Sequence, residues 1–259
     1  MEFQVGWRAF GWDRLPYPFV CRTPAQTLEA YEGLCVAAAK DFESRWDDDM
    51  YSTFVTLGAA EARAYICGFV GPDADKKVRV HAAVRGGLGV VMVQEPGSSV
   101  DLGGDIHLLR VAASAVGREL VAAMPRVGPG RHPKVQVHID EFHDGDRNGD
   151  VPPASWMQTT NQQRGPKREY DRLLARPTHG YGALEAYPGP TLGDRDTGSG
   201  QEMQWADFVA DGRYLISFES HTRTVSAAPV DAASLADRLQ RMLSECADIH
   251  RDRLQQSEW

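Results

Sequence analysis

The feature that most restricts the fold is an order of patterns that occurs twice along the 259 residues. Tyr65–Val70, Val78–Val84, Leu88–Gln94 and Ser99–Leu102 are rich in β-branched and aromatic residues. They are parted by Gly71-Pro72-Asp73-Ala74-Asp75-Lys76, Arg85-Gly86-Gly87 and Glu95-Pro96-Gly97. Connections this short join antiparallel neighbours, so the spacing predicts four antiparallel strands. Tyr181–Tyr187, Met203–Val209, Arg213–Phe218 and Thr224–Ala227 supply four more, with Ala210-Asp211-Gly212 standing where Arg85-Gly86-Gly87 stands in the first set. Helical patterns precede and follow each set. The repetition predicts an α+β fold of two pseudo-symmetric subdomains, antiparallel β-sheet flanked by α-helices. Two such copies are too long and too few for a solenoid, whose repeats run to roughly 20–45 residues. The expected organisation is a single domain over 1–259, made of subdomain 1–125, a mobile linker 126–165 and subdomain 166–259.

The flanking elements follow from capping chemistry and period. Phe3 to Phe10 reads as a short opening strand, and Leu15-Pro16-Tyr17-Pro18-Phe19 as a rigid extended connection, because two prolines forbid a helix. Thr23, Pro24 and Gln26 combine an N-cap, a first-position proline and a capping-box partner. A helix is expected from there to about Trp46, with Leu28, Tyr31, Cys35, Ala38 and Phe42 as one core-facing stripe. Asp47, Asp48 and Asp49 suit the start of a second helix carrying Tyr51, Phe54 and Val55. Asp105 is read as the cap of a helix bearing Leu108, Leu109, Ala112, Val116, Leu120 and Ala123, closed by Pro125. Pro166 opens a helix over Lys167–Arg176, stopped by Pro177. Asp231 caps a closing helix whose stripe is Leu235, Leu239, Met242, Leu243, Cys246 and Ile249. Phe142 to Pro153 and Pro188 to Gly200 have no period and read as loose.

Composition narrows the function classes. Asp and Glu number 36 against 28 Lys and Arg, a net charge of −8. Nucleic-acid and anionic-membrane partners are disfavoured, because both need clustered cations. No stretch approaches the roughly 18 apolar residues of a membrane span, and the opening Met1-Glu2-Phe3 lacks the form of a signal peptide, so the expected location is cytoplasmic. Cys21, Cys35, Cys67 and Cys246 form no CxxC pair and read as buried free thiols.

The densest constellation of chemically active residues is His138 to Asp150. Asp144, Asp146, Asn148 and the glycine at the sixth position, Gly149, resemble the first half of a calcium loop, but Ser155 occupies the twelfth position, where a bidentate Glu belongs. His138 and His143 are five apart and miss the i, i+4 spacing of an HExxH site. GxSxG, Walker and GxGxxG signatures are absent, and His81, His107, His179 and His221 are dispersed. The residues therefore point to binding rather than catalysis, with no catalytic residue, metal or cofactor assigned. Two other readings stay open: a divalent-metal-dependent hydrolase centred on residues 138–150, and a homodimeric structural or regulatory module using the sheet edges.

Several short runs carry a resemblance. Leu173-Leu174-Ala175-Arg176-Pro177, Gly180-Tyr181-Gly182, Trp205-Ala206-Asp207, Asp211-Gly212-Arg213-Tyr214-Leu215 and Val225-Ser226-Ala227-Ala228-Pro229 stand in that order before the Asp231 helix. With Trp7, Pro16-Tyr17-Pro18-Phe19 and the strand series Val78–Leu102, the chain resembles the EspG family of actinobacterial accessory proteins of ESX (type VII) secretion. The resemblance implies a cytosolic chaperone that keeps a PE–PPE-type helical heterodimer soluble before export, with no cofactor or nucleotide. It further implies that a loop between the second and third strands, the sheet face and the C-terminal helices grip the substrate. That loop corresponds to Gly71, Pro72, Asp73, Ala74, Asp75, Lys76 and Lys77, short for the family and rich in charge.

Overall fold

The structure, a computed structural model, describes residues 1–143, 165–190 and 200–257. Its elements are α1 Glu2–Ala9, α2 Leu28–Glu43, α3 Asp48–Gly58, β1 Ala62–Val70, β2 Lys76–Arg85, β3 Leu88–Pro96 and β4 Gly103–Ala112. After a 3-10 turn come α4 Val116–Ala122, β5 Val135–His138, α5 Asp140–His143, α6 Pro166–Leu174 and β6 Thr178–Pro188. The chain continues with β7 Gln201–Phe208, β8 Arg213–Glu219, β9 Thr224–Pro229 and α7 Ala232–Ser257. The nine strands form one antiparallel sheet in the order β4-β3-β2-β1-β6-β7-β8-β9-β5, which makes the fold α+β. The described chain divides into two compact units. Unit 1 holds residues 1–126, 183–202 and 233–259, and unit 2 holds 127–182 and 203–232.

In unit 1, register assigns the faces. Val90 stands opposite Ala83 and Arg110, whereas its neighbour Gly89 stands opposite Val84 and Val111, on the other side of the pleat. On the Val90 side, Ala83, Val90 and Met92 bury Phe3, Trp7, Phe19, Phe54 and Leu57 from the N-terminal elements. On the Gly89 side lies α4, whose Val116 would collide with any Cβ at Gly89. Gln240 of α7 accepts a hydrogen bond from the Gly117 N–H at 3.0 Å and donates one to the Ala113 carbonyl at 3.1 Å. The α7 stripe Leu235, Leu239 and Leu243 is fully buried, which stabilises the fold by roughly 1.5–3 kcal/mol per leucine.

In unit 2, α6 packs on β5, and Val135, Val137, Tyr170, Leu173, Phe208, Tyr214 and Ala227 form the core. Tyr170 sits edge-on to Phe142, and Phe208 edge-on to Tyr214.

Four segments differ from their sequence expectation. Phe3 to Phe10 forms α1 rather than an opening strand: Phe3, Gly6 and Trp7 are its buried stripe, and Phe3, Trp7 and Phe10 all stack toward Phe54. The first long helix starts at Leu28, not beside Pro24. Thr27 Oγ1 accepts the Ala30 N–H at 3.2 Å, while Thr23 Oγ1 closes a local turn with the Ala25 N–H. In its stripe only Ala38 is buried, and Leu28 is 72% exposed. Ser99–Leu102 is not a strand. It is a turn whose Val100 and Leu102 carbonyls receive the buried Arg79 guanidinium. Finally, 103–112 is the edge strand β4 instead of a helix capped by Asp105, because β3 offers it a full ladder from Leu88↔Ala112 to Gln94↔Ile106. Only Val116–Ala122 of that expected helix is helical. Within 126–165, residues 135–138 pair with β9 as β5, and 144–164 lie outside the described residues.

Candidate functional site

The Gly71–Lys77 segment joins β1 to β2. Because the opening segment is helical, the connection between the second and third strands is by observed count the tight turn at Gly86 and Gly87. Val70 pairs with Lys76, leaving Gly71 to Asp75 as a five-residue loop. Gly71 has φ +102 and Ala74 φ +52, so the loop turns through two left-handed residues, closed by the Ala74 N–H donating to the Gly71 carbonyl at 3.2 Å. Pro72, Asp73, Asp75 and Lys76 are exposed. Lys77 Nζ lies 5.2 Å from the centre of the Phe69 ring, which holds its charge near the sheet. The result is a small, tightly turned, two-signed charged knuckle at one end of the β1–β2 hairpin.

Unit 2 carries a second surface, built by the Asp211–Tyr214 run. Arg213 is buried and makes a two-point bond to the buried Asp207, 2.7 and 2.8 Å, with its guanidinium 5.3 Å from the Trp205 ring centre. Gly212 leaves room for the Pro129 carbonyl, which any Cβ would strike. Gly130 donates to the Arg213 carbonyl at 3.0 Å and Arg213 N–H to that of Gly128 at 2.8 Å. Asp211 accepts the Arg131 N–H at 2.7 Å, the Tyr214 hydroxyl at 3.1 Å and the Arg176 guanidinium. Burial alone would raise its pKa, but these three donors and the Arg176 charge outweigh it and hold the carboxyl below its ordinary value. The run thus clamps 128–133 to β8 and the end of α6. Between them opens a cavity of about 260 Å³ with Pro133, Val135 and Leu173 in its wall and His132, Arg172 and Arg176 around it. In the sequence this surface is split between the expected linker 126–165 and the helix opened by Pro166. Its signal was present as Glu169, Arg172, Leu173 and Arg176 at i, i+3, i+4 and i+7, beside Arg131-His132-Pro133-Lys134.

Unit 1 has a wider groove of about 640 Å³ where α2 stands off the sheet, lined by Leu34, Ala37 and Phe42 of α2, Phe3 of α1, and Ile106 and Leu108 of β4. Leu34 and Val36 are exposed on α2, 40% and 57%.

A buried polar cluster lies nearby in sequence on β1 and β2. His81 Nδ1 is 2.8 Å from the Tyr17 carbonyl, which can only accept, so this nitrogen carries the proton of a neutral ring. Burial lowers the His81 pKa to about 4. Arg63 donates to Tyr65 Oη at 2.9 Å and to the carbonyls of Pro188, Gly189 and Pro190 at 3.1, 2.6 and 3.1 Å. These contacts tie β1 to the end of β6 and expose no reactive group.

The cysteines are free thiols, but only Cys246 is fully buried, and its pKa rises to about 11 by burial; the other three are half-buried. His138 Nδ1 lies 3.4 Å from Asp140, which also pairs with Arg223. The calcium-like Asp144, Asp146, Asn148 and Gly149 lie outside the described residues. Among the described residues no group of three or more His, Cys, Asp or Glu side chains is placed to hold a metal ion, and no helix is long and apolar enough to cross a membrane.

No curated protein matches the chain. A family model described as the EspG family matches residues 1–241. With a match over nearly its whole length, the chain belongs to the EspG family, and that membership supports an ESX secretion-associated chaperone role.

Proposed function

We propose that this protein is a cytoplasmic chaperone that binds a PE–PPE-type helical heterodimer and keeps it soluble before export. The observation that carries the reading is the family match over residues 1–241. A client of this type presents an apolar tip that aggregates unless another surface covers it. Binding the soluble conformer lowers the concentration of the aggregating one by mass action, which needs no cofactor. The Gly71–Lys77 knuckle is assigned to the grip: its exposed Asp73, Asp75 and Lys76 offer charged contacts on a backbone that Pro72 and the Gly71 turn restrict. The two-copy organisation supports the reading of two related subdomains, since β1–β4 and β6–β9 each lie in sequence order in the sheet and each is followed by a helix, α4 or α7.

Co-expression with a PE–PPE pair encoded beside a type VII locus tests this directly. Size exclusion with light scattering should return a single complex containing all three chains. Separate elution from every such pair, or a stable homodimer of this chain that excludes them, would reject the reading.

A further inference from the structure

We propose that the unit 2 cavity between α6 and the lead-in to β5 is a docking site for an acidic peptide segment of a protein partner, anchored by one apolar side chain. This goes beyond the client-holding reading, whose grip is assigned to the Gly71–Lys77 loop of unit 1. Three observations carry it. The first is charge: in a chain of net −8, the cavity is ringed by His132, Arg172 and Arg176, flanked by the exposed Arg131 and Lys134, with Glu169 as the one carboxylate in its wall. Arg176 is committed to Asp211, and His132 Nε2 lies 3.7 Å from the same carboxylate. Arg172 is exposed and makes no ion pair among the described residues, so it is the cation available to an incoming acid. Such complementarity selects acidic partners and speeds their encounter.

The second observation is the cavity wall. Pro133, Val135 and Leu173 give it an apolar base, and at about 260 Å³ it falls below the roughly 300–1,000 Å³ typical of cofactor and drug-sized sites. It suits a single aliphatic side chain. No Phe, Tyr or Trp lines it. The third is preorganisation. The Asp211–Tyr214 clamp fixes 128–132 through four hydrogen bonds, Arg131 N–H to Asp211, Gly130 N–H to the Arg213 carbonyl, Arg213 N–H to the Gly128 carbonyl and His132 N–H to the Tyr214 hydroxyl, so little ordering entropy opposes binding.

The test uses the full chain and a fluorescein-labelled nonapeptide with a central leucine among Asp and Glu, read by anisotropy at low salt. Binding is expected, and it weakens about tenfold when the peptide leucine becomes serine. It weakens about fivefold in Arg172→Glu and weakens with added salt. Methyl resonances of Val135 and Leu173 shift on peptide addition while those of Leu235 stay, a readout that does not depend on any variant. The Lys76→Glu plus Lys77→Glu chain binds the peptide unchanged, which separates this site from the client grip. No binding, indifference to the leucine or to Arg172→Glu, or equally tight binding of an oligothymidine or of phosphatidylserine vesicles would overturn the proposal.

Discussion

At the scale of single residues, several interior side chains are polar and each needs its partner. Asp207 and Arg213 are both 2% exposed, and the pair is stable only because each satisfies the other at two points over Trp205. Asp207→Ala leaves a buried guanidinium unmatched and should cost about 3–5 kcal/mol, read as a fall in the urea midpoint. His81 makes stability depend on acid. Its ordinary pKa of 6.5 falls to about 4 on folding, so between those values the unfolded chain binds a proton that the folded chain refuses. Its contribution is complete above pH 6.5 and declines as pH falls toward 4, by at most about 3 kcal/mol. Melting curves from pH 7.5 to 4.5 should show the decline, and His81→Gln should flatten it. Asp211 adds a loss in the same direction at lower pH, since its lowered pKa matters only below the ordinary 3.8. The sequence displayed Asp211-Gly212-Arg213-Tyr214 as a recognisable run, but its work as a clamp depends on Arg131 and Arg176, which lie 80 and 35 positions away.

At the scale of elements, success followed local chemistry. Asp47 caps α3 with a 2.7 Å bond to the Met50 N–H, Pro166 opens α6, and α7 follows directly on Asp231 as its stripe requires. The errors arose where period is ambiguous. Phe3, Val5 and Trp7 alternate as in a strand while Phe3, Trp7 and Phe10 keep helical spacing, and Ile106 to Val111 reads equally as either. Helix α1 prevailed because Phe54 receives its aromatic stripe, and β4 because β3 supplies hydrogen bonds that a helix would have had to forgo. Close approach of helix backbones occurs at Gly117, where a Cβ would overlap the Ala236 carbonyl of α7. Alanine is ordinarily the better helix residue by about 1 kcal/mol, yet overlap with backbone costs about 1–3 kcal/mol. Gly117→Ala should therefore lower the urea midpoint, and a rise would show that α4 can move away.

At the scale of the whole molecule, the role proposed for the charged knuckle is client contact rather than stability. Lys76→Glu plus Lys77→Glu should weaken the client complex on size exclusion while unfolding free energy changes by no more than about 1 kcal/mol, most of it from the Lys77–Phe69 contact. Unfolding of the variant would instead make the loop structural. The sequence by itself determined the β1–β3 and β6–β9 hairpins, the capped start of α3, the proline-opened start of α6 and the stripe of α7. Turn residues, caps and side-chain period act over a few positions and need no distant partner. Tertiary structure alone decided that β4 closes one edge of the sheet, that β5 joins β9 from inside an apparent linker, that β1 lies beside β6, and that a basic-rimmed cavity opens beside α6. For β4 the ladder comes from its neighbour β3 and overrides an equally helical local pattern; the others rest on hydrogen bonds or charge pairs between residues far apart in the chain, and no local pattern specifies which distant group will complete them.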